Sequence, residues 1–283
     1  MPNTSRFKLA RYDPLILFFS IMGAFAIVFI FLPIVIMYIT LDTNAFSKTL
    51  GNKEVWDGIF LSVSTAAVAT VIAIIFGVPL AYVIARKEFP GKSVIQGIID
   101  LPIVVPHTVA GIALLTVFGR HGIIGAPLYE FNVRFVDAVP GIIVAMLFVS
   151  APLLINSARE GFEAVNPKLE NVALSLGASR RRMFFTISLP LCLRPIITGA
   201  VMSWARAISE FGAIIILVWF PKIATVVIYE AFLHEGIYSS KSIAVLLLTV
   251  CLVIFISLRM IIKHTNVKKT HRYHTPGNNR DNL

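Results

Sequence analysis

The chain has 283 residues, 57% of them hydrophobic and only 14% charged, a balance that excludes an ordinary soluble domain and points to a membrane protein. Its formal charge of +10 would suit a nucleic-acid binder, but the lysines and arginines sit between apolar runs, not among aromatics on a polar background. The two cysteines, Cys192 and Cys251, lie at or within apolar segments, so no disulfide framework is implied.

Residues 1–13 carry Arg6, Lys8 and Arg11 and read as a short basic N-terminus. The apolar run from 14 to 40 is longer than the core of a signal peptide, and no small-residue cleavage site closes it, so a retained first transmembrane helix is predicted. Later runs of bilayer length fall at 58–85, 94–118, 139–158, 190–219 and 241–263, giving six spans, with a basic tail over 264–283. Placing the N-terminus inside puts eighteen lysines and arginines on the inner side. The outer loops then hold six: Lys48, Lys53, Arg120, Arg134, Lys222 and Lys241. Both termini are therefore predicted to be cytoplasmic.

Two decoys are set aside. Gly91-Lys92-Ser93 resembles the end of a phosphate-binding loop, but the required first glycine falls on Arg86 and no strand precedes it. His271 and His274 have a plausible metal spacing, yet they lie in a polar basic tail, and no metal site is expected.

In the third span, Pro102 and Pro106 each remove a backbone donor, which predicts a kinked or locally opened helix. In hydrocarbon such a break is tolerated against protein or a water-filled path, so this helix should face inward, whether for packing or for transport. Pro106, His107 and Thr108 are candidate pathway residues on that ground.

The polar stretch from Glu163 to Pro195 reads as two short helices outside the bilayer. Asn166 caps and Pro167 begins the first; Val165, Leu169, Val172, Ala173 and Leu176 recur at helical spacing, and Gly177 supplies the stop. The second begins at Ser179 and carries Arg180, Arg181 and Arg182 in its first turn, against the helix dipole. Anionic headgroups or an acidic partner face would compensate them, and Leu189-Pro190 is expected to turn the chain back into the membrane.

Along the fifth span, Thr198, Met202, Ala205, Arg206, Ser209, Gly212 and Ala213 share a small or polar face, which suits a protein interface or a pore. Val201, Trp204, Ile208, Phe211 and Ile215 make the opposite face large and apolar, for lipid or bulky packing. Arg206 and Glu210, one turn apart at membrane depth, either mark function or neutralise each other.

Three stretches also carry a resemblance. Glu170-Asn171-Val172-Ala173, Gly177, Ile187 and Leu189-Pro190 look like the EAA loop of permease subunits of type I ATP-binding-cassette importers, with Asn171 in the Glu slot, Val172 in the first Ala slot and Glu170 one position early. Leu101 to Leu115 with Phe118 to Gly122, and Ala205 to Ala213, resemble the corresponding runs of molybdate, tungstate and sulfate permeases, departing at Ile208 and Ser209; many of those carry a second proline at the His107 position. With the three motifs in order, the resemblance covers about residues 58–260.

The resemblance implies an all-α membrane protein with six transmembrane helices and a cytoplasmic coupling helix over about 166–177. It implies a homodimer in a prokaryotic cell membrane, two separate ATPase subunits that bind ATP and magnesium, and an external oxyanion-binding protein, with no cofactor in this chain. Glu170, Asn171, Ala173, Gly177, Ser179 and Arg180 are then the ATPase-docking residues, and Arg206, Ser209 and Glu210 join Pro106, His107 and Thr108 along the pathway. Other readings are a sulfate-specific permease or an ion-coupled secondary transporter in which Asp100 or Glu210 carries protons or sodium, although no inverted repeat is evident. A membrane enzyme would need an acid, base, nucleophile or metal constellation that the isolated histidines do not supply.

Overall fold

The computed structural model describes residues 14–270, all in helices and connecting turns, with no strand among them. Five helical stretches are long and apolar enough to cross a bilayer: α1 (Pro14–Ile39), α3 (Lys53–Arg86), α7 (Val139–Ala164), the stretch Arg180–Ile208, and α13 (Ile237–Thr270) over Ile237–Met260. The sixth is a pair, α4 (Lys92–Val104) and α5 (His107–Phe118), bent by 114°. Shorter helices are α2 (Thr43–Gly51), α6 (Gly125–Glu130), α8 (Pro167–Ser175), α11 (Gly212–Leu217) and α12 (Ala224–His234).

Of the two outcomes expected for the third span, the structure shows the opened one: the helix is broken at Pro106, not merely kinked. Val105, ahead of Pro106, is driven to an extended conformation (φ −68°, ψ 129°) by the proline ring, and α5 starts afresh at His107. Pro102, by contrast, stays inside α4 and is buried.

The fifth span also departs from a single helix over 190–219. Arg180–Met183 forms α9, a π turn follows over Phe184–Ser188, and α10 runs from Leu189 to Ile208. Leu189-Pro190 therefore does not turn the chain. The wider π turn ahead of Pro190 relieves the clash its ring would make with the carbonyl four residues back, and the helix continues. The helix ends at Ile208, and α11 begins only at Gly212.

α3, α7 and α10 pack side by side as the frame of the bundle. Small residues set their spacing: a Cβ on Gly161 of α7 would lie 2.5 Å from Pro195 and 2.7 Å from Cys192 of α10, so only glycine allows this approach. One apolar cluster, including Ala66, Met146, Trp204, Ile208 and Ile214, fills one half of the bundle; a second, with Ala81, Phe162 and Cys192, fills the half at the Arg86 end. Trp204 and Ile208, on the large face of α10, are buried in the first, whereas Thr198, Met202 and Ser209 on the small face are exposed. The large face therefore serves packing within the chain.

α1 stands apart: no residue of it is buried. Its C-terminal end is tied to α13 by Tyr38 Oη to Thr249 Oγ1 at 2.9 Å and by Lys241 Nζ donating to the Thr40 carbonyl. At the same end of the bundle, Lys222 bridges Glu54 of α3 at 2.9 Å and Glu230 of α12 at 2.6 Å. Hydrogen bonds from Lys222 to both carboxylates hold its ammonium above the ordinary lysine range.

Candidate functional site

The two broken spans meet at their breaks. Gly111 of α5 lies so close to α11 that a Cβ there would be 2.8 Å from the Ala213 carbonyl oxygen, and a Cβ on Gly212 would be 2.7 Å from His107 Cβ. This contact brings the first residue of α5 against the segment between α10 and α11.

Three ionisable side chains converge there. Arg206 Nη2 donates to Glu210 Oε2 at 2.9 Å and lies 2.9 Å from His107 Nε2, while His107 Nδ1 is 3.4 Å from Glu210 Oε2. Arg206 Nη1 donates to Ser209 Oγ at 3.2 Å. Glu210 Oε1 accepts from Ala213 N at 2.8 Å, so the same carboxylate caps α11. Thr225 Oγ1 donates to the Glu210 carbonyl at 3.0 Å, fixing the break from the α12 side.

Burial is graded across the cluster. The Glu210 side chain is 1% exposed, Arg206 26% and His107 47%. A carboxylate taken that far out of water requires its cation. The basic partners keep an open side on which further N–H groups can meet an anion. Of the pathway candidates, His107, Arg206, Ser209 and Glu210 are thus joined; Pro106 forms the break, and Thr108 is exposed one residue on, outside the hydrogen-bonded group. Arg206 and Glu210 do neutralise each other, but at a helix break shared with an exposed histidine.

Asp100 of α4 accepts from Asn156 Nδ2 of α7 at 2.6 Å, which ties α4 to the frame.

At the other end, α8 is built as the sequence predicts, one residue shorter. Asn166 Oδ1 accepts from Lys168 N at 3.0 Å, and Pro167 opens the helix. Gly177, at φ +86°, closes it: its N–H reaches the Leu174 carbonyl and the Ala178 N–H reaches that of Ala173. Leu169, Val172 and Leu176 are exposed, Leu176 by 83%. Asn171, Gly177, Ser179 and Arg180 lie on the open surface and Ala173 is half-buried. Ser179 Oγ accepts from Arg182 N, capping α9, with Arg180, Arg181 and Arg182 all exposed.

Glu170 points the other way. It is buried against Arg86 at 2.9 Å and accepts from Ser188 Oγ at 2.7 Å. Neither partner is marked in the sequence: Arg86 is one of eighteen inner-side cations, and nothing local joins two residues 84 apart.

Among the described residues no group of three His, Cys, Asp or Glu is placed to hold a metal. His271 and His274 lie outside the described residues. Lys92, of the phosphate-loop decoy, is paired with Glu88 at 2.8 Å at the start of α4.

Residues 73–267 match the family described as binding-protein-dependent transport system inner membrane component. The chain is 47% identical over 246 residues to the molybdate/tungstate transport system permease protein WtpB of Pyrococcus abyssi (strain GE5 / Orsay), across 86% of this chain and 94% of that protein. It is 40% identical over 164 residues to the molybdenum transport system permease protein ModB of Escherichia coli (strain K12), across 58% and 72%. In three dimensions it is similar to a chain of a bacterial ABC transporter involved in the import of the acidic polysaccharide alginate, with a TM-score of 0.71 over 88% of this chain and 96% of that one at 18% identity, which speaks for the fold. The resemblance drawn from the three motifs is therefore borne out, and the all-α membrane fold with it. The chain belongs to the family of binding-protein-dependent transport system inner membrane components, and is a transport component, not an enzyme.

Proposed function

We propose that this chain is the transmembrane subunit of an ATP-driven importer of molybdate and tungstate, working as a homodimer with two ATPase subunits and an external oxyanion-binding protein in a prokaryotic cell membrane. ATP and magnesium belong to the ATPase; this chain supplies the path and the coupling helix. The 47% identity to a molybdate/tungstate permease over 94% of that protein supports the substrate class.

The observation that carries the mechanism is the Arg206–His107–Glu210 cluster at two facing helix breaks. A tetrahedral dianion crossing a membrane must exchange its hydration for fixed donors, because apolar walls offer none. The Arg206 guanidinium supplies such donors, and His107 and the Ser209 hydroxyl, which here donates to the Arg206 carbonyl at 2.9 Å, can turn from their present partners to the anion. Glu210 cancels the arginine charge, so the anion meets donors without a deep electrostatic trap, and it can leave as well as enter.

Coupling follows from the opposite end. The exposed Leu169, Val172 and Leu176 form an apolar stripe for a groove on the ATPase, with Asn171, Ser179 and Arg180 at its margin. ATP closes the ATPase pair, draws the two copies of α8 together and opens the path outward; hydrolysis returns it inward. The distribution of lysine and arginine supports this orientation, with both termini and α8 on the cytoplasmic side.

The test is uptake into vesicles holding this chain and its ATPase, supplied with loaded binding protein. ATP-dependent accumulation of molybdate or tungstate is expected. Accumulation on an ion gradient without ATPase would overturn the reading in favour of a secondary transporter, and accumulation of sulfate alone would overturn the substrate assignment.

A further inference from the structure

Four segments meet at one buried ion pair. Arg86, the last residue of α3, has a side chain only 9% exposed; its Nε lies 3.0 and 3.1 Å from the two Glu170 oxygens, and its Nη2 donates to the Val165 carbonyl at 3.0 Å. Val165 follows directly on the end of α7, Glu170 belongs to the first turn of α8, and Ser188, which donates to Glu170 Oε1, closes the π turn that leads into α10.

We infer that Arg86 and Glu170 form a transmission joint that makes α8 move as one body with α3 and α7, so that Arg86 is a positioning residue for coupling although it does not face the ATPase. This rests on the docking role of α8 proposed above.

The physical reasoning runs from geometry and charge. A fork of guanidinium donors on a carboxylate is strong and directional, unlike a single lysine contact. Burial removes the water that would otherwise let the pair separate and re-form freely. The outward side of α8 is open and apolar, so its hold on the membrane helices comes from its inward side, where Glu170 is the charged anchor. A displacement applied to that open side is delivered through Arg86 to α3, a helix of about 51 Å that crosses the whole bundle. Through Val165 it also reaches α7, whose Asn156 holds Asp100 of α4, the helix that ends at the His107 break.

The experiment uses the complete complex in proteoliposomes with molybdate and loaded binding protein, and reads molecules transported per ATP hydrolysed. Arg86→Gln should co-purify with the ATPase at wild-type stoichiometry and still hydrolyse ATP, while transport per ATP falls about tenfold, the scale of an ordinary coupling energy. Arg86→Gln/Glu170→Gln removes the orphaned carboxylate as well; it should recover the melting temperature but not the transport ratio. Should the single variant fail to assemble, the double variant decides. A wild-type ratio in the single variant, or its return in the double variant together with stability, would overturn the inference and leave a structural role only. Failure of the unmodified chain to hold the ATPase would instead reject the docking proposal itself.

Discussion

Arg206 and Glu210, one helical turn apart, are joined at 2.9 Å across the end of α10, and the carboxylate that holds the guanidinium also caps the next helix. Arg206→Gln should therefore have two separable effects. Transport should fall steeply because a donor is lost, and stability should fall by about 3 kcal/mol because a buried carboxylate loses its cation. The double variant Arg206→Gln/Glu210→Gln is expected to recover most of the stability and none of the transport. Melting in detergent and vesicle uptake measure the two; unaltered uptake in Arg206→Gln would assign the residue to packing.

Gly111→Ala should separate α5 from α11. The added methyl would sit 2.8 Å from a backbone carbonyl and 2.8 Å from Ile216 Cβ, neither of them the far end of a flexible side chain. Overpacking of this kind costs about 1–3 kcal/mol. Lower thermal stability with reduced uptake is expected, and a wild-type melting curve would contradict the close approach.

Gly177→Ala isolates backbone conformation, since a Cβ there meets nothing within 4 Å while φ is +86°. Left-handed backbone costs a non-glycine residue about 1–2 kcal/mol. The end of α8 should fray, weakening ATPase co-purification while membrane insertion is unchanged. Gly177→Asn, which tolerates this conformation better, should lose less.

Lys222 links α3 to α12 through Glu54 and Glu230, and those bonds raise its pKa above the ordinary 10.5. A raised folded-state value means that the stabilisation is fully present below the unfolded value and is lost as pH rises through the folded one. Lys222→Met should thus be less stable than wild type by up to about 1 kcal/mol at pH 8. The gap should close as pH climbs past 10.5 in parallel thermal melts. A difference that persists above that range would assign the loss to packing of the lysine stem.

What was legible in the sequence was local. Asn166, Pro167 and Gly177 define α8 because capping and left-handed turns are properties of single residues, and Pro106 announces the first break because its ring constrains its own neighbour. The second break carries no such mark. Nothing between Ser209 and Phe211 forbids a helix, and the chain departs from it where Glu210 takes a cap on α11 and partners from α10 and α5, the latter 103 positions away. The inward turn of Glu170 was hidden for the same reason: helical spacing gives it a polar, outward reading, and only Arg86 from the end of a distant helix reverses that.

α1 adds a mechanical consequence. Its 26 residues span about 39 Å, roughly 9 Å more than the hydrocarbon thickness, and no side chain of its own protomer encloses it. The surplus has to be absorbed by leaning or by local thickening of the lipid around it. Within a single protomer, its inclination therefore responds to the host membrane's thickness about the ties at Tyr38 and Thr40, so lipids of different chain length should re-aim this helix while leaving the frame of α3, α7 and α10 undisturbed.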